Sequence, residues 1–128
     1  MLEELEDKGV IIIDPRQTYI SPEVDLSRIY SGSILYPGTR LTGARTLIGT
    51  GAKIGTEGPA TIHDSIIGTD AEVASGFISK STLLPKSVAG ANSHYRAGTL
   101  LEEHASTAHS VRVKTIDTYV CCYIWIVN

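Results

Sequence analysis

The segments LYPGTR-LTGART (35–46) and IGTGAK-IGTEGP (48–59) each hold two six-residue units that open on an aliphatic residue. IGTDAE-VASGFI (67–78) supplies another pair, opening at Ile67 and Val73. A rhythm of six constrains a chain severely, because it is too short for a helical hairpin and wrong for an amphipathic helix. Glycine or proline punctuates the sequence from Pro22 through Pro37-Gly38, Gly43, Gly49, Gly51, Gly55, Gly58-Pro59, Gly68, Gly76, Pro85 and Gly90 to Gly98. The stretches between suit very short strands. The pattern predicts an all-β fold, a left-handed parallel β-helix in which three hexads make one triangular coil. In such a fold the leading aliphatics point inward and stack from coil to coil, and small residues make the corners.

Three hexads give a period of 18. Ile11, Ile29, Leu47, Ser65, Leu83, Leu101 and Tyr119 fall in one column at this spacing, and Phe77, Tyr95 and Val113 in another. One-residue insertions blur other columns, as between Ile54 and Val73. Five to six coils are expected. Before them, LEELED (2–7) reads as a short helical turn with Leu2 and Leu5 on one face and Gly9 as its end. VIII (10–13) reads as a strand stopped by Asp14-Pro15. After them, IDTYVCCYIWIVN (116–128) abandons the rhythm as an apolar, β-prone run. The expected organisation is therefore a helical N-terminus over 1–9, a β-helix domain over 10–116 and a non-repeat apolar tail over 117–128, which would cover an open end of the helix or pack against another chain.

The formal net charge of −3 argues against a nucleic-acid binder, since a phosphate backbone demands a basic surface. No apolar run reaches the length of a membrane span, and the acidic start does not resemble a secretory signal. Cys121 and Cys122 are adjacent, a spacing that rarely allows a disulfide, so a reducing, cytoplasmic setting is the expectation.

Against this background Arg96 and Lys114 stand out, 18 residues apart in a segment otherwise built of small residues, histidines and acids. Side chains alternate along a strand, so if Tyr95 and Val113 stack inward, Arg96 and Lys114 both point outward. One coil apart, they would stand at about 4.8 Å, the spacing of neighbouring strands. Two stacked cations repel. They are either solvated surface charges balanced by Glu102 or Glu103, or a pair arranged for an anionic ligand, most naturally a phosphate.

At these residues the chain resembles a known family. The entry segment GVIIIDPRQTYISPEVDL (9–26) and the ungapped stretch from Gly90 to Lys114, with Arg96, Gly98, Leu101, Glu103, Ala105, Val111 and Lys114, are similar to the acetyltransferase half of the bacterial bifunctional N-acetylglucosamine-1-phosphate uridyltransferase / glucosamine-1-phosphate acetyltransferase. The resemblance extends to related sugar-nucleotide pyrophosphorylases and covers residues 9 to 116. It implies a homotrimer whose sugar phosphate or UDP-sugar is bound between subunits by the Arg and Lys, here Arg96 and Lys114. It also implies a catalytic histidine about twelve residues beyond the Lys. This chain has Ile126 there, so no catalytic residue is nominated. Acetyl-CoA and Mg2+ serve the full-length family, and no cofactor is expected in this chain. The sequence is read as a fragment, a truncated product or a stand-alone relative.

Other readings compete. His104 and His109 resemble paired ligands of γ-class carbonic anhydrases, which are also trimeric β-helices, but the position of the third histidine holds Gly68 and His63 and His94 are misplaced. Two imidazoles alone rarely hold catalytic zinc. A structural or trimerisation module without a ligand of its own is the remaining alternative. Cys121-Cys122 has no nearby histidine to activate a thiolate, and the carboxylates Asp14, Glu23, Glu102 and Glu103 are read as corner residues or partners for the cations.

Overall fold

A computed structural model describes residues 2–107 and the backbone of Arg112–Val113. The chain winds through very short strands that return, coil after coil, to three parallel sheets. The first sheet is formed by Ile11–Ile12, Ile34–Leu35, Lys53–Ile54, Glu72–Val73 and Val88–Ala89. The second takes Tyr19–Ile20, Thr39–Thr42, Ala60–His63, Gly76–Ser79, Ser93–Tyr95 and Arg112–Val113. The third takes Leu47–Ile48, Ile66–Ile67, Thr82–Leu83 and Leu100–Leu101. This is the left-handed parallel β-helix expected from the repeats, with about five turns and, among the described residues, a single α-helix, Leu2–Asp7. Leu5 of that helix is fully buried, and the chain leaves it through Gly9 at φ +102°.

The interior consists of three aliphatic columns, one per sheet. Ile12, Leu35, Ile54, Val73 and Ala89 line the first; Ile20, Leu41, Ile62, Ile78 and Tyr95 the second; Ile29, Ile48, Ile67, Leu83 and Leu101 the third, and all are buried. The residue two before each aliphatic is usually small. Ser33, Ala52, Ala71, Ser87 and Ala105 occupy this place before the first sheet, and Thr46, Ser65, Ser81 and Thr99 before the third. Their hydroxyls close the corners by donating to a nearby carbonyl, as Ser33 does to Tyr30 (2.8 Å), Ser87 to Leu84 (2.7 Å) and Thr99 to Arg96 (2.8 Å). Where the corner residue is Ser or Thr, its hydroxyl thus adds a second donor to a corner carbonyl that also accepts a backbone amide.

The period is not a constant 18, and the columns drawn at that spacing need correction. In the first sheet Ile11 pairs with Ile34, 23 residues on, because two 3-10 turns, Pro15–Gln17 and Leu26–Arg28, lengthen the first coil. Ile34 then pairs with Lys53 and Lys53 with Glu72, steps of 19, and Glu72 with Val88, a step of 16. Ile11 and Ile29 consequently lie on different sheets, Ile29 aligns with Ile48 rather than Leu47, and Ser65 is a corner residue. Phe77 aligns with His94, so it is Ile78 that stands below Tyr95. A true 18 appears only in the last coils, between Thr82 and Leu100, Val88 and Ser106, and Tyr95 and Val113. The strand expected over 10–13 is confined to Ile11–Ile12.

Corners require left-handed backbone. In the early coils glycine supplies it, at Gly32, Gly38, Gly43, Gly51 and Gly55. In later coils Asp64, Asp70, Lys80, Lys86, Asn92 and His104 join Gly76 and Gly98 in doing so, with φ between 45° and 64° at the non-glycine positions. Between the second and third sheets the corner positions stack in the order Gly43, Asp64, Lys80, Gly98, and between the third and first in the order Gly51, Asp70, Lys86, His104. Each aspartate folds its carboxylate over the glycine of the preceding coil, into the space a Cβ would fill. Gly43→Ala and Gly51→Ala should therefore each lower the unfolding free energy by about 1–3 kcal/mol, combining left-handed strain with displacement of the carboxylate. Gly58→Ala, where φ is not positive and a new Cβ meets Ser75 at an ordinary 3.4 Å, should change it by less than about 0.5 kcal/mol. Urea denaturation of the three variants checks the difference.

Candidate functional site

The outer face of the second sheet carries two of the histidines singled out in the sequence, His63 and His94, and leads to Arg96. One outward row runs Tyr19, Arg40, Thr61, Phe77, His94, and a neighbouring row Thr42, His63, Ser79. The Arg40 guanidinium lies 5.1 Å from the Tyr19 ring centroid, and the rings of Phe77 and His94 meet edge to face at 5.5 Å. The Thr42 hydroxyl sits 2.8 Å from His63 Nδ1, while His63 Nε2 lies 3.5 Å from the Asp64 carboxylate.

Arg96 follows Tyr95 at the end of this face and is exposed. Its backbone is held on two sides. Tyr95, beside it, is completely buried and its hydroxyl is 2.7 Å from that of Thr107. The Arg96 carbonyl accepts hydrogen bonds from Ser81 Oγ (2.9 Å) and Thr99 Oγ1 (2.8 Å). A long cationic side chain is thus launched from a fixed point. Tyr95 pairs with Val113 one coil on. Lys114, the expected partner of Arg96, lies outside the described residues, as do His109, Cys121, Cys122 and Ile126. Of the acids considered as neutralising partners, Glu103 instead approaches His104, at 4.0 Å.

The remaining described histidine, His104, occupies the corner between the third and first sheets, away from His63 and His94. Among the described residues no group of three or more His, Cys, Asp or Glu side chains is placed to hold a metal ion. No helix among them is long and apolar enough to cross a membrane.

A second feature escaped the sequence. Around the corner from Arg96, between the second and third sheets, an open groove of about 770 Å³ is lined by Arg28, Arg45 and Lys80, together with Asp64, Ile66 and Thr82. These cations come from the first, second and fourth coils, with Asp64 of the third coil between Arg45 and Lys80. Their steps, 17 from Arg28 to Arg45 and 35 from Arg45 to Lys80, match no multiple of 18, so a constant period could not gather them.

Short parallel strands stacked on three faces, with hexad repeats and left-handed corners, define a hexapeptide-repeat β-helix protein. No family model matches the chain. Individual proteins do. It is 32% identical over 107 residues to the bifunctional protein GlmU of Halalkalibacterium halodurans, 37% over 106 residues to that of Cutibacterium acnes, and 32% over 112 residues to that of Carboxydothermus hydrogenoformans. These alignments cover 83–88% of this chain and 22–24% of the relatives, so the chain spans about a quarter of the length of the proteins it matches. The resemblance drawn from the sequence holds: the chain is a relative of the β-helical acetyltransferase region of bifunctional GlmU proteins.

Tyr95 gives this region a pH signature. Burial pushes its phenol above the ordinary value of 10.0, against the weaker opposing effect of the Thr107 hydrogen bond. The native state therefore keeps a proton that the unfolded state gives up. This contribution to stability is fully present below pH 10 and is lost as pH rises, by up to about 1.4 kcal/mol per pH unit. Denaturation midpoints between about pH 9 and 11 should fall more steeply for the wild type than for Tyr95→Phe.

Proposed function

We propose that the chain is a sugar-nucleotide-pathway transferase domain that binds a sugar phosphate or a UDP-sugar through Arg96 and Lys114, in a site completed between subunits of a homotrimer. The observation that carries the reading is the local register. The second sheet runs a true 18-residue step from Tyr95 to Val113, and Arg96 and Lys114 are the residues that follow each. Relatedness to GlmU supports the ligand class, and the fixed, exposed position of Arg96 supports its role. Assembly is supported by apolar residues left outside the coil on the first sheet, where Ile11 is 48% and Ile13 53% exposed beside half-buried Ile34 and Tyr36.

Charge-assisted hydrogen bonds contribute about 1.5–3 kcal/mol each. Arg96→Ala and Lys114→Ala should each weaken binding of glucosamine-1-phosphate or a UDP-sugar by about tenfold or more. Circular dichroism should stay unchanged. Calorimetric titration reads the affinities, and a wild-type protein that binds neither ligand removes the proposal.

The chain is further proposed to bind without catalysing acetyl transfer. A sugar amine must lose a proton to a general base within hydrogen-bond reach. The resemblance places that base at Ile126, which accepts none. A base contributes about 10²–10⁴-fold in rate. In a thiol-release assay with acetyl-CoA and glucosamine-1-phosphate, turnover should stay near background. A rate of about 1 s⁻¹ or more, ordinary for an enzyme, would show that another residue serves as base.

A further inference from the structure

We infer that the groove between the second and third sheets is a separate anion site, built by Arg28, Arg45 and Lys80 for a small phosphate-bearing ligand. The argument starts from charge. The protein as a whole is acidic, with a formal net charge of −3, yet this groove gathers three cations around one acid. That acid is already engaged. Asp64 Oδ1 accepts the Arg45 amide at 3.2 Å, and Oδ2 faces His63 Nε2 at 3.5 Å. Asp25, close to Arg28 in sequence, is likewise committed. It accepts both the hydroxyl and the amide of Ser27, which hold its carboxyl below the ordinary carboxylate value, with smaller help from Arg28 and Lys8. Among the described residues, none of Arg28, Arg45 and Lys80 lies within ion-pair distance of an acid.

The Arg28 side chain is also held in place. Arg28 closes the turn Leu26–Arg28, and its Nη2 donates to the Arg45 carbonyl at 3.1 Å, tying two coils together across the groove. Its Nε is buried and has no hydrogen-bond partner. A buried guanidinium N–H left unpaired costs free energy, and a turn of the side chain that opens this edge to the groove would let an anion oxygen recover it. Lys80 stands at a left-handed corner, φ 45°, stacked directly after Asp64. Three cations against one carboxylate leave an excess of positive charge in the groove, and a phosphate, with more than one charge and three acceptor oxygens, can meet the guanidinium and the ammonium at once. Thr82 adds a hydroxyl donor and Ile66 an apolar wall, as a phosphorylated organic molecule would need.

Inorganic pyrophosphate is the probe, titrated calorimetrically into the full chain at low salt, with succinate as a dicarboxylate control. Wild type should bind pyrophosphate saturably and succinate at least about tenfold more weakly. Lys80→Asn keeps a residue that tolerates the left-handed corner, and Arg45→Ala alters an exposed side chain. Each should weaken pyrophosphate binding by about tenfold. Arg28→Lys, which retains charge but loses the buried N–H, should weaken it severalfold. Arg96→Ala should leave this affinity unchanged, which separates the groove from the site proposed above. No saturable binding by wild type, equal binding of succinate, or a loss in Arg96→Ala without one in Lys80→Asn would each overturn the inference.

Discussion

Everything in this molecule depends on the backbone hydrogen bonds that join each coil to the next. Strands of two to four residues cannot stand alone. They persist because the coil above and the coil below supply their partners, as Ile34 N donates to Ala52 O and Lys53 N to Ala71 O, at 2.8 and 3.0 Å. The same bonds set the height of a coil, and that height dictates what fits inside. One aliphatic residue per sheet per coil fills the triangle. Where one column shrinks, another must grow: Ala89 faces into the coil that Tyr95 enters, and the Tyr95 hydroxyl reaches across to Thr107.

The ladder fixes the inside far more strictly than the edges. Steps of 16, 17, 18, 19, 21 and 23 residues are all accommodated by the same three sheets, because additional residues are spent at corners. The corners accept this variety at the cost of left-handed backbone. Early coils meet that cost with glycine; later coils use residues with side chains, and so acquire groups that project from the ridges. The basic groove combines three kinds of corner. It takes Lys80 from a left-handed corner, Arg45 from the longer loop beside Gly43, and Arg28 from a 3-10 turn.

This division explains what was legible in the sequence. Hexads such as IGTGAK record the alternation of one buried aliphatic with small corner residues, and they announce the fold class directly. The helix Leu2–Asp7 was readable from Leu2, Leu5 and Gly9. Register was not, since a single average period conceals insertions. Ile11 and Ile29 fall 18 apart yet lie on different sheets, because the Asp14 and Asp25 caps hold two additional turns between them. Arg96 was identified in the regular last coils, where counting by 18 is sound. Arg28, Arg45 and Lys80 sit where it fails, so nothing in the sequence brought them together.

The corner stacks bear on a hazard particular to solenoids. Coils that resemble one another can be threaded one storey too high or too low, with most aliphatics still finding aliphatic neighbours. Here the shortest coil, with its 16-residue step, carries a distinguishing mark on two of its three ridges. Asp64 precedes Lys80 on one and Asp70 precedes Lys86 on the other, each aspartate seated over a glycine. Displaced by one storey toward the N-terminus, Asp70 would meet another glycine of its ridge, Gly32, but Asp64 would meet Pro22 in place of the hollow above Gly43. One ridge tolerates the slip and the other does not, so Asp64 is the pin that tells the right storey from its near-identical neighbour.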